Sequence, residues 1–232
     1  MLPAVTIAFL IPLGPAPVGK TLALSVDAQW AAIETCPRIV NKAGERSTGT
    51  GAVVGVRDGF AYILTAHHVA GDPEEREVQF FTRKSYPVPA RKIRGVQVVA
   101  KYPDTDAAVL KLAVGDDAPA VLPLAGIGQR PKRFPFDAVS VGCSNGKLPT
   151  CRGEQVIGKK FVRRQGDSAA FFWELAEPPL PGRSGGPLID AQGRVIGLCA
   201  AARDRRGYYA HLDEILAGLK RDELGWLVPA NP

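Results

Sequence analysis

A serine held between glycines at the mouth of an apolar strand constrains this chain more than any other feature. The run is Leu180-Pro181-Gly182-Arg183-Ser184-Gly185-Gly186-Pro187-Leu188-Ile189. Three glycines in the five residues from Gly182 to Gly186 let the backbone turn sharply and approach another surface without side-chain clash. A serine at such a turn keeps its hydroxyl exposed. The amides of Gly182 and Ser184 can then converge on a developing negative charge. Alone, a glycine-rich turn says little; its meaning depends on what else the chain supplies.

The chain supplies a base and a carboxylate. The apolar stretch Tyr62-Ile63-Leu64-Thr65-Ala66-His67-His68-Val69 reads as a strand with two histidines close behind Thr65. Asp104 and Asp106 stand just ahead of a second apolar stretch, Ala107-Ala108-Val109-Leu110-Lys111-Leu112. Serine is a poor nucleophile at neutral pH and needs an adjacent base. A histidine base in turn needs a carboxylate to fix its tautomer and steady the imidazolium. All three parts are present, in the order His, Asp, Ser.

These residues resemble the chymotrypsin-like (trypsin-fold) serine peptidases, and more closely their bacterial branch of high-temperature-requirement and glutamyl-endopeptidase-like enzymes. Ser47-Thr48-Gly49-Thr50-Gly51-Ala52-Val53-Val54 is similar to that branch's Gly-x-Gly block, Leu64 to Val69 to its Thr-x-x-His-Val block, and Gly182 to Pro187 to its Gly-x-Ser-Gly-Gly-Pro block. The resemblance extends over about residues 35–222. It implies His68 as the base, Asp106 as the orienting acid and Ser184 as the nucleophile, with Gly182 and Ser184 amides as the oxyanion hole. His67 is then a packing or partly exposed neighbour, Asp104 a turn residue and His211 polar surface. The activity implied is that of a serine endopeptidase acting on polypeptides. Two other readings stay open: a peptidase fold kept as a peptide-binding module without turnover, and an esterase using the same triad.

Two departures from the family pattern bear on function. Arg183 precedes the serine, where the digestive enzymes carry an aspartate that pairs with a freed amino terminus and many bacterial relatives carry asparagine. Arg183 cannot make that pairing. The hole is therefore expected from loop packing or on substrate binding, with the Gly182–Arg183 peptide as the point where a flip would silence it. Pro178 stands six residues before Ser184, where trypsin-like members carry a pocket aspartate. With Pro178, Cys199, Ala200 and Ala201 as pocket residues, and Tyr208 or Tyr209 able to narrow it, a small or medium apolar residue is expected before the scissile bond.

Strand patterns near 51–56, 60–65, 77–82, 94–100, 107–113, 138–143, 155–163, 170–176, 186–190, 194–201 and 207–210 make the chain all-β. The 25 glycines and 20 prolines suit many short strands joined by turns. The family fold is two six-stranded antiparallel β-barrels with the site in the cleft between them. A peptidase domain is expected over 29–225: one barrel at about 35–117, the second at about 136–210, and an amphipathic helix at about 211–224. The stretch Pro119 to Pro135 would join the barrels. The peptide-binding domain that many bacterial relatives append is not expected.

Residues 1–28 read as a leader pointing to export, with an apolar run from Leu2 to Leu13 and small residues at Val26-Asp27-Ala28, or, since no Lys or Arg precedes Lys20, as a loosely docked arm. That run is too short, and too broken by Pro3 and Pro12, to span a bilayer. In an oxidising compartment Cys143 could pair with Cys151, while Cys36 and Cys199 could pair or stay buried thiols. No Cys-x-x-Cys pair or histidine cluster suggests a metal, and no cofactor is expected. The net charge of +6 comes from scattered basic residues with no recognition motif, so nucleic acid is not an expected partner.

Overall fold

The computed structural model describes residues 22, 24–41, 47–71, 76–163 and 169–230. Most of the expected leader, residues 1–21, lies outside them. Val26–Ala28 form the first turn of helix α1 (Val26–Glu34), where Ser25 caps the helix by accepting from Ala28 N at 3.2 Å.

Among the described residues, thirteen strands follow. Seven build a first sheet: β1 (Arg38–Asn41), β2 (Ser47–Arg57), β3 (Phe60–Ala66), β4 (Arg76–Phe80), β5 (Arg91–Ile93), β6 (Gln97–Tyr102) and β7 (Ala107–Ala113), in the order β5-β4-β1-β2-β3-β7-β6. A four-residue helix, α2 (His67–Ala70), interrupts it after β3. Six build a closed barrel: β8 (Phe136–Gly142), β9 (Thr150–Arg163), β10 (Ala169–Leu175), β11 (Pro187–Ile189), β12 (Val195–Arg203) and β13 (Arg206–His211), in the order β10-β13-β12-β11-β8-β9. Every pairing among these named strands is antiparallel, and Leu124 of the connecting stretch adds one parallel bridge to Val195 of β12. The all-β fold and the six-stranded second barrel match the expectation, whereas the first unit has seven strands. The strands that the sequence patterns do not include are β1 and β5; β5 pairs three residues with β4 through Val78↔Ile93, Gln79↔Lys92 and Phe80↔Arg91.

Side chains alternate across a strand, and here both faces of the first sheet are covered. Val53, Ala61, Ile63, Leu110 and Leu112 face an interior core with Ile39 and Val78. Their neighbours Ala52, Val54, Leu64, Ala107 and Val109 join a second core with Leu188, Ile189 and Leu198 of the barrel. Burial on both faces explains why β3 and β7 read as nearly unbroken apolar runs rather than as alternating ones. The connecting stretch is stitched to both units: Leu122 N donates to Val53 O at 2.8 Å, and Val195 N to Pro123 O at 2.8 Å.

After β13 the chain forms α3 (Leu212–Arg221), whose buried stripe is Leu212, Ile215, Leu216 and Leu219. Gly218 lets α3 pack against the ring of Tyr102 on β6. The tail then returns to the first sheet, where Trp226 and Leu227 sit over Gly55 and Trp226 meets Tyr62 edge-to-face at 4.9 Å.

Candidate active site

The junction of β3 and α2 carries His68, and the turn before β7 carries Asp106. The two segments are clamped by their backbones: His67 N donates to Asp106 O at 2.8 Å, and His68 N to Asp106 Oδ1 at 3.1 Å. The second carboxylate oxygen, Oδ2, lies 2.7 Å from His68 Nδ1. A carboxylate only accepts, so Nδ1 carries the proton and Nε2 is left as an acceptor. The Asp106 side chain is 3% exposed and that of His68 50%. Asp106 adopts a left-handed backbone (φ +54°), which aspartate tolerates better than most residues, and its N–H closes the turn onto Pro103 O at 3.2 Å. Asp104 is exposed on the same turn.

The serine turn docks onto this junction from the barrel. Thr50 N donates to Ser184 O at 2.9 Å, and Thr50 Oγ1 to Gly182 O at 2.8 Å. The same hydroxyl accepts from Cys143 N at 3.0 Å, so one threonine of β2 binds two barrel loops. Gly185 has φ +78° and lies against Thr50 O, Thr65 Oγ1 and Ala66 N, where any Cβ would collide. This close approach brings the serine turn to the end of β3, two residues from His68. Ser184 is half-buried, and its hydroxyl has no hydrogen-bond partner among the described residues.

Backbone accounting around Ser184 is one-sided. The Pro181 carbonyl accepts from Asn145 N at 2.6 Å, that of Gly182 from Thr50 Oγ1, that of Arg183 from Gly186 N at 2.9 Å and that of Ser184 from Thr50 N. Arg183 N donates to Leu180 O at 3.2 Å. The amides of Gly182 and Ser184 have no acceptor among the described residues. The Pro181–Gly182 peptide is trans, so with its carbonyl tied to Asn145 its N–H points the opposite way. Such a loop can offer two donors to an anion and no acceptor.

Arg183, anomalous in sequence, is 1% exposed and lies inside the barrel. Of the expected pocket residues, Ala200 and Ala201 line a cavity of about 390 Å³ together with Val162, Phe172 and Tyr208. Cys199 is buried beneath, and Pro178 is an exposed loop residue whose carbonyl accepts from Arg152 at 3.3 Å; neither lines that cavity. Tyr209 is fully buried and does not line it either.

Of the alternatives left open for the cysteines the structure has the unpaired one, and the reading of His211 as polar surface is corrected. All four cysteines are free thiols. Cys143 is buried at the end of β8, and the Cys151 thiol lies 3.7 Å from Gln29 O of α1. Burial pushes the Cys143 and Cys151 thiols up to about 11 and Cys199 up to about 12. His211 is not polar surface but 2% exposed, with its ring centroid 4.3 Å from that of Trp173 and Nδ1 accepting from Asp213 N at 3.3 Å to cap α3. Among the described residues no helix is long and apolar enough to cross a membrane.

Comparison with known proteins bears on the fold and the family. The chain is 27% identical over 168 residues to a "Serine protease HtrA-like" protein of Staphylococcus aureus strain bovine RF122 / ET3-1, and 27% over 169 residues to that of strain USA300. Each alignment takes in 69% of this chain but 21% of the relative, so the chain spans about a fifth of those proteins. Among solved structures, the Rv3671c protease of M. tuberculosis in its active form is 20% identical with a TM-score of 0.65, covering 92% of this chain and 93% of that one. The HtrA-type protease AlgW with tripeptide is 20% identical with a TM-score of 0.66, covering 85% and 62%. These likenesses show the fold. A family model described as a trypsin-like peptidase domain matches residues 49–198, from β2 to β12. That span takes in His68, Asp106 and Ser184 and most of both sheets, and the chain belongs to the trypsin-like peptidase domain family.

Proposed function

We propose that this protein is a serine endopeptidase in which His68, Asp106 and Ser184 form the catalytic triad. Ser184 Oγ attacks the peptide carbonyl while His68 Nε2 takes its proton. The carbonyl oxygen becomes an oxyanion held by the Gly182 and Ser184 amides, and Asp106 steadies the imidazolium. Collapse of the tetrahedral species breaks the C–N bond, with the proton passing from His68 to the leaving amine. Water then enters the same cycle and releases the acyl group from Ser184.

The observation that carries this reading is the His68 Nδ1–Asp106 Oδ2 contact at 2.7 Å, which leaves Nε2 as the free base beside the docked serine turn. The uncommitted amides of Gly182 and Ser184 support it, since each such donor contributes about 2.7–4 kcal/mol to transition-state stabilisation. For specificity, the small side chains of Ala200 and Ala201 favour a small or medium apolar residue before the scissile bond. A peptide library varied at that position checks this. We place the protein outside the cytoplasm on the strength of the apolar run Leu2 to Leu13; fractionation of the producing cell tests that.

A fluorophosphonate probe followed by mass spectrometry tests the triad. The expected result is label on Ser184 alone, lost in Ser184→Ala, together with cleavage of a protein substrate that Ser184→Ala no longer cleaves. No label on the wild-type protein would favour a peptide-binding module without turnover. Label with cleavage of esters but not of proteins would favour an esterase.

A further inference from the structure

We propose that Arg183 is the positioning residue that holds the oxyanion loop in its donor-forward form in the resting protein; this rests on the peptidase reading above. The side chain runs from the residue before the nucleophile into the barrel and ends among acceptors of two strands. Its Nη2 donates to Ser140 O and Ser140 Oγ, both at 2.7 Å, on β8. Its Nη1 donates to Gly142 O at 3.2 Å and Ser144 Oγ at 3.1 Å, and both nitrogens lie 3.4 Å from Thr150 O at the start of β9. One guanidinium therefore ties together both ends of the turn that joins β8 to β9.

That turn carries Asn145, whose amide holds the Pro181 carbonyl at 2.6 Å. The contacts close a ring. Arg183 of the oxyanion loop fixes the turn, the turn fixes Pro181 of the same loop, and the intervening Gly182 N–H is left facing away. Gly142 permits the approach, since a Cβ there would meet Arg183 Cα and Cβ at 3.1 Å. The buried charge is compensated one step away: Ser140 Oγ donates to Glu154 Oε1 at 2.5 Å, and Glu154 is paired with Arg152 at 2.7 Å. A planar, five-donor cation suits this job, because its rigid fork spans acceptors on two strands that a compact ammonium reaches less well. The loop is thus preset by an internal cation in the resting chain, and a flip of the Pro181–Gly182 peptide, which carries the Gly182 N–H, is resisted from within the barrel.

The test is Arg183→Met, which keeps the length and loses the donors. If Arg183 positions the loop, kcat falls by about 10²–10³, as for loss of an oxyanion donor, while KM changes less than about threefold and far-ultraviolet circular dichroism is retained. A peptide aldehyde, which binds as an oxyanion-bearing adduct, should weaken in parallel with kcat/KM. A folded Arg183→Met with wild-type kcat overturns the proposal. Hydrogen exchange gives a readout that does not need turnover: the Asn145 amide should be protected in the wild type and lose protection in the variant. Unchanged protection overturns positioning even if the wild-type protein proves inactive, so this failure is separable from failure of the peptidase reading. Should Arg183→Met not fold, Ser144→Ala removes one acceptor without stranding the rest; a several-fold loss of kcat is expected there, and none would overturn the proposal.

Discussion

Asp106 satisfies three demands with one residue: its carbonyl holds His67 N, one carboxylate oxygen holds His68 N and the other meets His68 Nδ1. Asp106→Asn keeps the shape and loses the second acceptor, so the imidazole is free to adopt the wrong tautomer. We expect kcat to fall by about 10³–10⁴ with little change in melting temperature, measured on a protein substrate beside a thermal melt. A large drop in melting temperature would instead make Asp106 a structural residue first. The sequence singles out His68, Asp106 and Ser184 because their neighbours are distinctive, and the structure brings His68 and Asp106 into direct contact. Arg183 stands out only as a departure. Nothing in the linear order says that a cation beside the nucleophile is sunk among carbonyls of β8 and β9, since those acceptors lie tens of residues away. Thr50 is equally silent in sequence, although its hydroxyl joins Cys143 to Gly182.

At the scale of elements, the strands with long apolar runs, such as β3 and β7, are legible because their burial leaves no ambiguity of face. β1 and β5 are not, being four and three residues long and partly charged. Helix α1 escapes notice because Val26-Asp27-Ala28 also fits a cleavage site. At α3, a histidine at the helix start looks like surface until Trp173 is seen beneath it. Burial, reinforced by Lys159, pushes His211 down from 6.5 to about 4. The unfolded chain thus takes up a proton below about pH 6.5 that the folded one refuses. Stability present at pH 7 is lost as pH falls from 6.5 towards 4, on the order of 2 kcal/mol of it by pH 5. Urea unfolding at pH 7 and pH 5 should show that loss in the wild type and not in His211→Gln. Equal losses in both proteins would mean that His211 does not set the acid sensitivity.

On the scale of the molecule, two sheets share a core, and the thiols mark how well it excludes water. Cys36, Cys143 and Cys199 are at most 1% exposed, and burial raises all three thiols well above their ordinary range. Thiolate, not thiol, reacts with a disulfide reagent. At pH 8 these three should therefore react only as fast as the chain opens, with a jump in rate across the urea transition that follows Trp fluorescence. Rapid native-state reaction of more than one thiol per chain would contradict a closed shared core. The return of the tail also sets an order in time. Gly55 belongs to the first sheet to leave the ribosome, yet its cover, Trp226 and Leu227, is made only after the barrel strands are complete. The half that supplies the histidine and the aspartate is thus translated early and finished late, so a nascent chain halted short of Trp226 carries His68, Asp106 and Ser184 while still lacking the cover of Gly55.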